Sequence, residues 1–448
     1  MRIIARDRRV ALGLFLALIF VYNANGREIG SYDTQPQKYT ARELAVIGTT
    51  RLSRVVEEVP ALGDRVAFAR DRRGHFRSAY PILPGLLAAI PASLLHWTGA
   101  VDMQAPLAPY LVAALTASLL TAAAVALTFL MLRRLVSLSA ALWTAVGLGL
   151  GTGYWPIASQ SLWQHGPVIF GLSLCLFAWV RPTALLRPRH LWLGGLGLAM
   201  AGAARPVVSV VVAILLLWIG RRVGVRRALP AAVPVALLAG ASIYGNVHWF
   251  GDILGALPVI ESVHQQYHAV SGPLGEQPWT AALGLLISPS RGLLVYSPLV
   301  LVALFGVFGT AKNASVGLPW LFLAFFAQFG VYSVYAVWWG GHTYGPRYLV
   351  DVLPLLAPAA ALGVARLQTS RWLSTLAGLL LCWSVVVAGA GAFIYPNEEW
   401  NTSPRDVDLY HDRLWDVRDN QIIRTLQADP SPQNFQLFSR NAFRRPPE

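Results

Sequence analysis

The stretch Ala105–Leu132, APLAPYLVAALTASLLTAAAVALTFLML, contains no charged residue and consists mainly of alanine and leucine. It is longer than the ~20 apolar residues that an α-helix needs to cross the hydrocarbon core of a bilayer. A second stretch, Trp372–Phe393, is equally free of charge. These runs predict an integral membrane protein built from α-helices.

The composition of the whole chain agrees with this prediction. Hydrophobic residues make up 55% of the 448 residues and charged residues only 13%, with a mean hydropathy of +0.50. Soluble domains carry about 25% charged residues. A chain this apolar therefore needs lipid around much of its surface.

The net charge of +14 is unevenly distributed along the chain. Six short segments hold sixteen of the 36 Lys and Arg residues but only one acidic residue, Asp7. Such clusters mark the cytoplasmic loops of membrane proteins. The excess charge therefore predicts an orientation in the membrane, and no nucleic-acid partner is expected. The six segments are Arg2–Arg9, Arg133–Arg134, Arg181–Arg189, Arg221–Arg227, Lys312 and Arg366–Arg371.

The apolar runs and charge clusters together predict an all-α fold of about eleven transmembrane helices, with the N-terminus inside and the C-terminus outside. Residues 1–395 form the transmembrane domain, and residues 396–448 form a polar extracytoplasmic tail. The apolar segment Pro81–Trp97 is expected to form a re-entrant or juxtamembrane helix, and the semi-apolar segment Thr280–Ser288 is expected to lie at the membrane interface. The predicted spans are Val10–Tyr22, Pro106–Leu132, Ser137–Tyr154, Pro167–Val180, Leu191–Ala204, Val207–Gly220, Leu229–Trp249, Pro298–Gly309, Val316–Val337, Leu349–Ala365 and Trp372–Tyr395.

The outer loop at residues 23–80 contains a predicted amphipathic helix over about 40–60. Thr40 and Glu43 have the spacing of a capping box, in which a hydroxyl and a carboxylate satisfy the first backbone N–H groups of a helix. Apolar residues then recur at helical spacing, with Arg and Glu on the opposite face. Such a helix is expected to lie on the membrane surface or against the bundle.

Asp351 is the only carboxylate within the predicted spans, and it lies near the outer end of its helix. Ion-coupled transporters need ionisable residues at mid-membrane depth, so a pump or symporter is not favoured. Polar and ionisable residues instead collect at the outer helix ends, which predicts a cavity open to the outer face. They are Asp33, His75, Arg77, Gln160, His165, Arg205, His248, His264, His268, Arg291, His342, Arg347 and Asp351.

Several motifs in this outer region resemble the GT-C superfamily of glycosyltransferases, such as bacterial aminoarabinose transferases and protein O-mannosyltransferases. The resemblance covers about residues 1–395 and is nearest to a bacterial branch that shares the late motif. The motifs are Gly30-Ser-Tyr-Asp33, Arg77-Ser-Ala-Tyr80-Pro81, Ser288-Pro-Ser-Arg-Gly292, Ser297-Pro298 and Trp338-Trp-Gly-Gly-His-Thr-Tyr-Gly-Pro-Arg347-Tyr.

The resemblance implies a membrane transferase that moves a sugar from a polyprenyl-phosphate carrier to an acceptor hydroxyl. The acceptor is a glycan, lipid or protein, and the site faces the exterior of a bacterial cytoplasmic membrane. A lipid-borne donor fits the lack of any nucleotide-binding glycine motif in the sequence. In this superfamily an Asp early in the first outer loop is the catalytic base, and Asp33 stands at that place.

The remaining site residues are expected on chemical grounds. Arginines stabilise the charge that develops on a leaving phosphate. Gln160 to His165 contain no Asp or Glu where many members carry a second acidic residue. No cofactor is therefore predicted with certainty, and a divalent metal stays open but is not supported. His264 and His268 have no evident third ligand for a metal. The expected phosphate-binding residues are Arg347, Arg205, Arg291 and His342; the expected substrate-binding residues are His165, Gln160, Tyr80, Tyr344 and His264.

Other interpretations of the same residues stay open at this point. Asp33 fits an Asx turn, Arg347 an ion pair with Asp351 one turn along, and Arg205 an interfacial helix end. Two other functions also fit the pattern. One is a transporter of polyprenyl-linked lipids, and the other is an O-antigen-type ligase or polymerase that uses a diphosphate-linked donor.

Overall fold

The computed structural model describes residues 4–307 and 316–445, apart from the side chain of His264. The structure is 68% helix and 2% strand, which confirms the all-α class. The predicted cytoplasmic Lys312 lies outside the described residues.

The longer helices follow the apolar runs of the sequence. Their bounds are Ala5–Tyr22, Gln35–Ile47, Leu83–Trp97, Ala108–Leu132, Leu138–Leu150, His165–Trp179, Pro188–Ala204, Ser209–Val223, Val225–Phe250, Leu257–Tyr267, Pro278–Ile287, Leu318–Ser333, Leu353–Leu367 and Arg371–Phe393. Shorter helices are Ser53–Glu58, Leu293–Tyr296, Val302–Val307 and Gln421–Gln427. The described strands, Phe68–Arg70 and Phe76–Ser78, pair antiparallel with Phe68 opposite Ser78.

Five helical segments among the described residues are long and apolar enough to cross a membrane. Six shorter apolar helices of 10–17 residues accompany them. The chain is therefore a multi-pass membrane protein, while the count of eleven spans and the orientation stay predictions. The five segments are Ala108–Leu132, Pro206–Val223, Val225–Phe250, Arg347–Leu367 and Arg371–Phe393.

Small residues let neighbouring helices pack closely. Gly171 and Gly197 face each other across their two helices, and a Cβ at either position would overlap the carbonyl oxygen of the other. Gly195 meets the backbone of Ala231 in the same way. Since lipid gives apolar side chains no advantage in associating, close backbone contact is a main source of helix association in membranes.

The first helix is fixed at both ends. At its start, the buried carboxylate of Asp7 accepts a hydrogen bond from Arg133 Nε at 2.8 Å. At its end, the hydroxyl of Tyr22 donates to the carbonyl of Gly149 at 3.0 Å. The lone acidic residue of the basic clusters is therefore the partner of a buried arginine, and removing either member would leave an uncompensated charge.

The first loop, residues 23–82, differs from the expectation of one amphipathic helix over 40–60. Two helices are present, Gln35–Ile47 and Ser53–Glu58, separated by Gly48 at φ +69°. Glycine adopts this left-handed conformation without a steric penalty, so it ends the first helix. Thr40 is not the N-cap, since its hydroxyl donates to the Pro36 carbonyl within the helix.

The tail, residues 394–445, packs tightly against the loops. Trp400 is fully buried, and the backbone of Phe435 donates to the carbonyl of Asn25 at 2.7 Å. The hydroxyl of Ser288 donates to the carbonyl of Leu414 at 2.6 Å. A segment that appears polar and Pro-rich in sequence therefore forms a cover over the loop end of the bundle.

Candidate active site

Asp33 lies in a short 3₁₀ turn, Tyr32–Thr34, of the first loop. Ser31 caps this turn, because its Oγ accepts the backbone N–H of Asp33 at 3.3 Å. The Asp33 carboxylate turns instead towards two side chains from distant parts of the chain. Its Oδ1 accepts a hydrogen bond from the Tyr80 hydroxyl at 3.1 Å, and its Oδ2 lies 3.6 Å from Nη1 of Arg347.

Tyr80 is suited to hold this carboxylate as a hydrogen-bond donor. Burial, followed by the neighbouring charge of Asp33, raises the pKa of Tyr80 well above its ordinary value of 10.0. The phenol therefore keeps its proton at neutral pH. The Asp33 side chain remains 31% exposed, so its other face is open to an incoming molecule.

Arg347 lies at the end of the late loop, residues 334–346, where it contacts two aromatic rings. Its guanidinium carbon is 5.1 Å from the ring centre of Trp163 and 5.4 Å from that of Tyr348. Gly340 passes beside it at φ +80°, where a Cβ would lie 3.0 Å from Arg347 Nε. That Nε is buried and has no hydrogen-bond partner among the described residues. An unpartnered donor of this kind is available for an anionic ligand.

The partners of Asp351 differ from the sequence-based expectation of an ion pair with Arg347. It pairs with Arg205, whose Nε lies 3.1 Å from Oδ2, and not with Arg347. It also lies 2.7 Å from Nδ1 of His165 and accepts the Tyr332 hydroxyl at 2.6 Å. Both Asp351 and His165 are buried. Arg205 therefore does more than mark a helix end.

The two arginines share an aromatic neighbour. The guanidinium carbon of Arg205 lies 5.1 Å from the ring centre of Tyr348, the same ring that Arg347 contacts. Tyr332 stacks on Tyr348 with ring centres 5.0 Å apart. The predicted residues Arg205, His165 and Arg347 are thus linked through Tyr348 and Asp351 into one group behind Asp33.

Gln160 joins the first and second loops in a buried position. Its side-chain amide donates to the carbonyl of Tyr22 at 3.0 Å and its oxygen accepts from Asn25 at 2.6 Å. Nearby, Trp163 donates to the carbonyl of Ile29 at 3.0 Å. These bonds position the start of the first loop and Trp163, so the contacts of Gln160 are those of a positioning residue.

Arg291 has different partners from those expected for a phosphate-binding residue. It is fully buried, and protein acceptors occupy both ends of its guanidinium, so no donor is left for a phosphate. It joins its own turn and the late loop to the tail. The acceptors are the carbonyls of Trp339, Ser290 and Gly341 and the side chains of Gln421 and Asn401, at 2.7–3.2 Å.

The other expected site residues fall in separate places. Tyr344 is buried and donates to the carbonyl of Val387 at 2.9 Å, so it belongs to the packing of the late loop. His342 lies at the surface beside Asp406 and Asp408, where negative charge opposes an anion. The side chain of His264 lies outside the described part of the structure. Among the described residues, His342 and its two aspartates are the group whose atoms gather closely enough to hold a metal.

The sequence did not single out Tyr332 or Tyr348 as site residues. Tyr348 directly follows Arg347, and this position next to a predicted site residue was the one feature of the sequence that could have identified it. Tyr332 lies on the preceding helix, and nothing in one sequence connects it to Asp351. In the sequence, each tyrosine resembles the aromatic residues that commonly lie at the end of an apolar helix.

Comparison with known proteins gives two structural relatives. The chain is similar to ArnT from Cupriavidus metallidurans in the apo state, with 15% identity and a TM-score of 0.45 over 87% of this chain and 65% of that one. It is also similar to the oligosaccharyltransferase AglB from Archaeoglobus fulgidus, solved with an inhibitory peptide and a dolichol-phosphate, with 11% identity and a TM-score of 0.47 over 95% and 60% of the two chains. Both belong to the GT-C superfamily.

Both proteins belong to the superfamily that the sequence motifs resemble. The chain spans 65% and 60% of the lengths of the two proteins. Because both TM-scores are below 0.5, neither match transfers a function or a residue role to this chain. No family profile and no curated protein sequence matches the chain.

Proposed function

We propose that the protein is a glycosyltransferase that moves a sugar from a polyprenyl-phosphate carrier to an acceptor hydroxyl at the outer face of a bacterial cytoplasmic membrane. The observation that supports this proposal best is the pairing of Asp33 with Arg347. A carboxylate and a guanidinium from opposite parts of the chain meet at the loop end of the bundle. One can accept a proton and the other can bind a phosphate.

Asp33 is the proposed base. The acceptor hydroxyl gives its proton to the Asp33 carboxylate while its oxygen forms a bond to the anomeric carbon of the sugar. A carboxylate within hydrogen-bond reach of the hydroxyl is suited to this step. Tyr80 donates to Asp33 Oδ1 at 3.1 Å and so fixes the direction in which Oδ2, the oxygen beside Arg347, points.

Arg347 is the proposed phosphate-binding residue. As the new bond forms, the bond between the anomeric carbon and the phosphate oxygen breaks, and the phosphate leaves with the electron pair. The growing negative charge is stabilised by a guanidinium already fixed by aromatic rings. Attack by the acceptor on the face opposite to the phosphate inverts the configuration at the anomeric carbon.

The exchange of partners keeps the charge balanced. Before the reaction, the positive charge of Arg347 lies beside the negative charge of Asp33. When Asp33 takes the proton it becomes neutral, and the leaving phosphate becomes the counterion of Arg347. Arg205 stays paired with Asp351 and contributes its field and its contact with Tyr348. The charges of Arg347, Arg205 and Asp351 therefore stay the same throughout the proposed reaction.

The test separates binding of the carrier from turnover. Wild-type protein and the variants Asp33→Asn, Arg347→Ala and Asp64→Asn are purified in nanodiscs that contain polyprenyl phosphate. Retained lipid is measured by native mass spectrometry. Turnover is measured by release of polyprenyl phosphate from a panel of monophosphate-linked sugars, and of polyprenyl diphosphate from the matching diphosphate-linked sugars. Asp64 is an exposed aspartate of the same loop and serves as the matched control.

We expect Asp33→Asn to keep the lipid but to lose turnover by roughly 10²–10⁴-fold, the usual contribution of a general base. Arg347→Ala is expected to lose the lipid, and Asp64→Asn to behave as wild type. Turnover only with diphosphate-linked sugars would assign the protein to the ligase or polymerase class. Transport of intact lipid across liposomes without turnover would overturn the proposal.

A further inference from the structure

A second polar group lies where the tail meets the late loop, apart from the Asp33–Arg347 pair. Nε2 of His342 is 2.9 Å from Oδ1 of Asp406 and 3.3 Å from Oδ2 of Asp408. One ligand atom from each of these three residues lies within 4.8 Å of the others. His268 borders the group, with its Nε2 3.5 Å from Asp408 Oδ2.

The spacing of these atoms fits a tetrahedral metal. Zinc binds histidine nitrogen and carboxylate oxygen at about 2.0–2.2 Å, so two ligands of a tetrahedral site lie about 3.3 Å apart. The measured separations of 2.9, 3.3 and 3.5 Å bracket this value. Two imidazoles and two carboxylates also form a donor set that zinc favours over magnesium or calcium.

The charges of the group also favour the binding of a cation. Asp406 and Asp408 place two carboxylates side by side, and no Lys or Arg in the described part of the chain lies within ion-pair distance of either. The neighbouring Arg405 pairs with Asp412 instead, at 2.7 Å. A divalent cation would offset the two negative charges.

The surroundings hold the carboxylates in the required direction. The backbone N–H of Asp408 donates to Asp406 Oδ1 at 2.9 Å, which holds the Asp406 carboxylate beside Asp408. Trp339 Nε1 donates to Asp408 Oδ1 at 2.7 Å and leaves Oδ2 to face the histidines. Hydrogen bonds of this kind to the second oxygen of a carboxylate ligand orient it for the metal.

The group is open to solvent, yet it is anchored by buried structure. The side chains of His342 and Asp406 are 39% and 36% exposed, so an ion can enter. Asp408 is only 14% exposed, and Gly341 at φ +69° lets the late loop pass within contact distance of His268. The exposed face leaves room for water as a further ligand.

We propose that His342, Asp406 and Asp408 form a binding site for a zinc-type divalent cation, with His268 as a fourth ligand or as the hydrogen-bond partner of Asp408. The cation would tie the tail to the late loop. Since Gly340 of that loop passes beside Arg347, the metal would also fix the wall of the phosphate site. The inference does not depend on the transferase proposal, because metal binding is measured without turnover.

The test uses the full-length protein in detergent after removal of metal with a chelator. Zinc is added, excess is removed, and bound zinc is counted by mass spectrometry of the metal. Cobalt replaces zinc in a second experiment, because tetrahedral cobalt absorbs visible light far more strongly than octahedral cobalt. The variants are His342→Ala, Asp406→Asn and Asp408→Asn. His75→Ala is the matched control, since His75 lies 3.5 Å from the single carboxylate of Asp71.

We expect one zinc per wild-type chain, the strong cobalt spectrum, and loss of both in each of the three site variants. His75→Ala should keep them. Asp406 is at the surface, so Asp406→Asn reports on binding even where another variant fails to fold. Absence of stoichiometric zinc in the wild type overturns the proposal. So does zinc that all three site variants retain.

Discussion

Nε of Arg205, the residue that follows the helix Pro188–Ala204, lies 3.1 Å from Oδ2 of Asp351, which lies in the segment Arg347–Leu367. This pair is the buried electrostatic centre of the site, and it leaves Arg347, one turn before Asp351, to face Asp33. Arg205 and Asp351 thus form a structural pair, whereas Arg347 and Asp33 form the pair that is proposed to exchange its partner for a ligand.

Asp351→Asn tests the structural pair. The substitution keeps the shape of the side chain but leaves Arg205 buried without a counterion, a loss that typically costs about 3–5 kcal/mol. We expect a clear fall in melting temperature in detergent. Asp412→Asn is the control, because Asp412 is 66% exposed in its pair with Arg405 and such pairs contribute about 1 kcal/mol at most. Equal melting temperatures for the two variants would contradict the assignment.

Gly340→Ala tests the close approach of the late loop to Arg347. The added Cβ would lie 3.0 Å from Arg347 Nε, in a backbone conformation with φ +80° that costs a non-glycine residue roughly 1–2 kcal/mol. Polyprenyl-phosphate retention should fall about tenfold, or ~1.4 kcal/mol, as measured by native mass spectrometry. Gly378→Ala is the control, since a Cβ there meets nothing within 4 Å. If Gly340→Ala retained as much polyprenyl phosphate as the wild type, the late loop would not be part of the proposed phosphate site.

Gln421→Ala tests how the tail is held. Gln421 accepts from Arg291 at 2.8 Å and donates to the carbonyl of Thr343 at 3.0 Å. Its loss leaves a buried guanidinium donor unsatisfied, at a cost of about 1–3 kcal/mol. The tail should be cleaved faster in limited proteolysis. Gln427→Ala, at an exposed position of the same short helix, should match the wild type, and equal cleavage of both variants would rule out this anchor.

Glu398 gives the tail a dependence on pH. Burial raises the pKa of this carboxyl from 4.5 to about 7, so the folded state favours the protonated form. The stabilisation is complete below about pH 4.5 and is lost as the pH rises through about 7, a change of roughly 3 kcal/mol. The melting temperature of the wild type should therefore fall relative to Glu398→Gln across this window. A constant difference between the two proteins would contradict the burial of a titrating carboxyl.

The apolar helices could be predicted from the sequence because each one coincides with an apolar run, and an apolar run that crosses or touches lipid forms a helix. The predicted span Pro106–Leu132 became the helix Ala108–Leu132, and Trp372–Tyr395 became Arg371–Phe393. The amphipathic helix of the first loop was predicted as one and is two. The helical spacing of apolar residues continues from the first of these helices into the second, so it predicted one helix. Gly48 nevertheless ends the first helix.

Side-chain partners were predicted less well than helices. Arg291 and Arg347 both lie beside glycine and proline in sequence, and only the tail distinguishes them. It buries Arg291 under Gln421 and Asn401 and leaves Arg347 with an unpartnered Nε. The tail appeared polar and external because its buried residues, such as Trp400, are scattered among charged ones with no periodic pattern.

The attachment of the first helix at Asp7 and Tyr22 has a consequence for the motions available to the site. A helix held by a charge pair at its start and by a tyrosine hydroxyl at its end cannot slide along its axis without breaking both. The depth of Asp33, eleven residues past Tyr22, is thereby set by rigid neighbours. In the proposed reaction, adjustment to reactants of different size then falls to the late loop, whose glycines at 340, 341 and 345 all have positive φ.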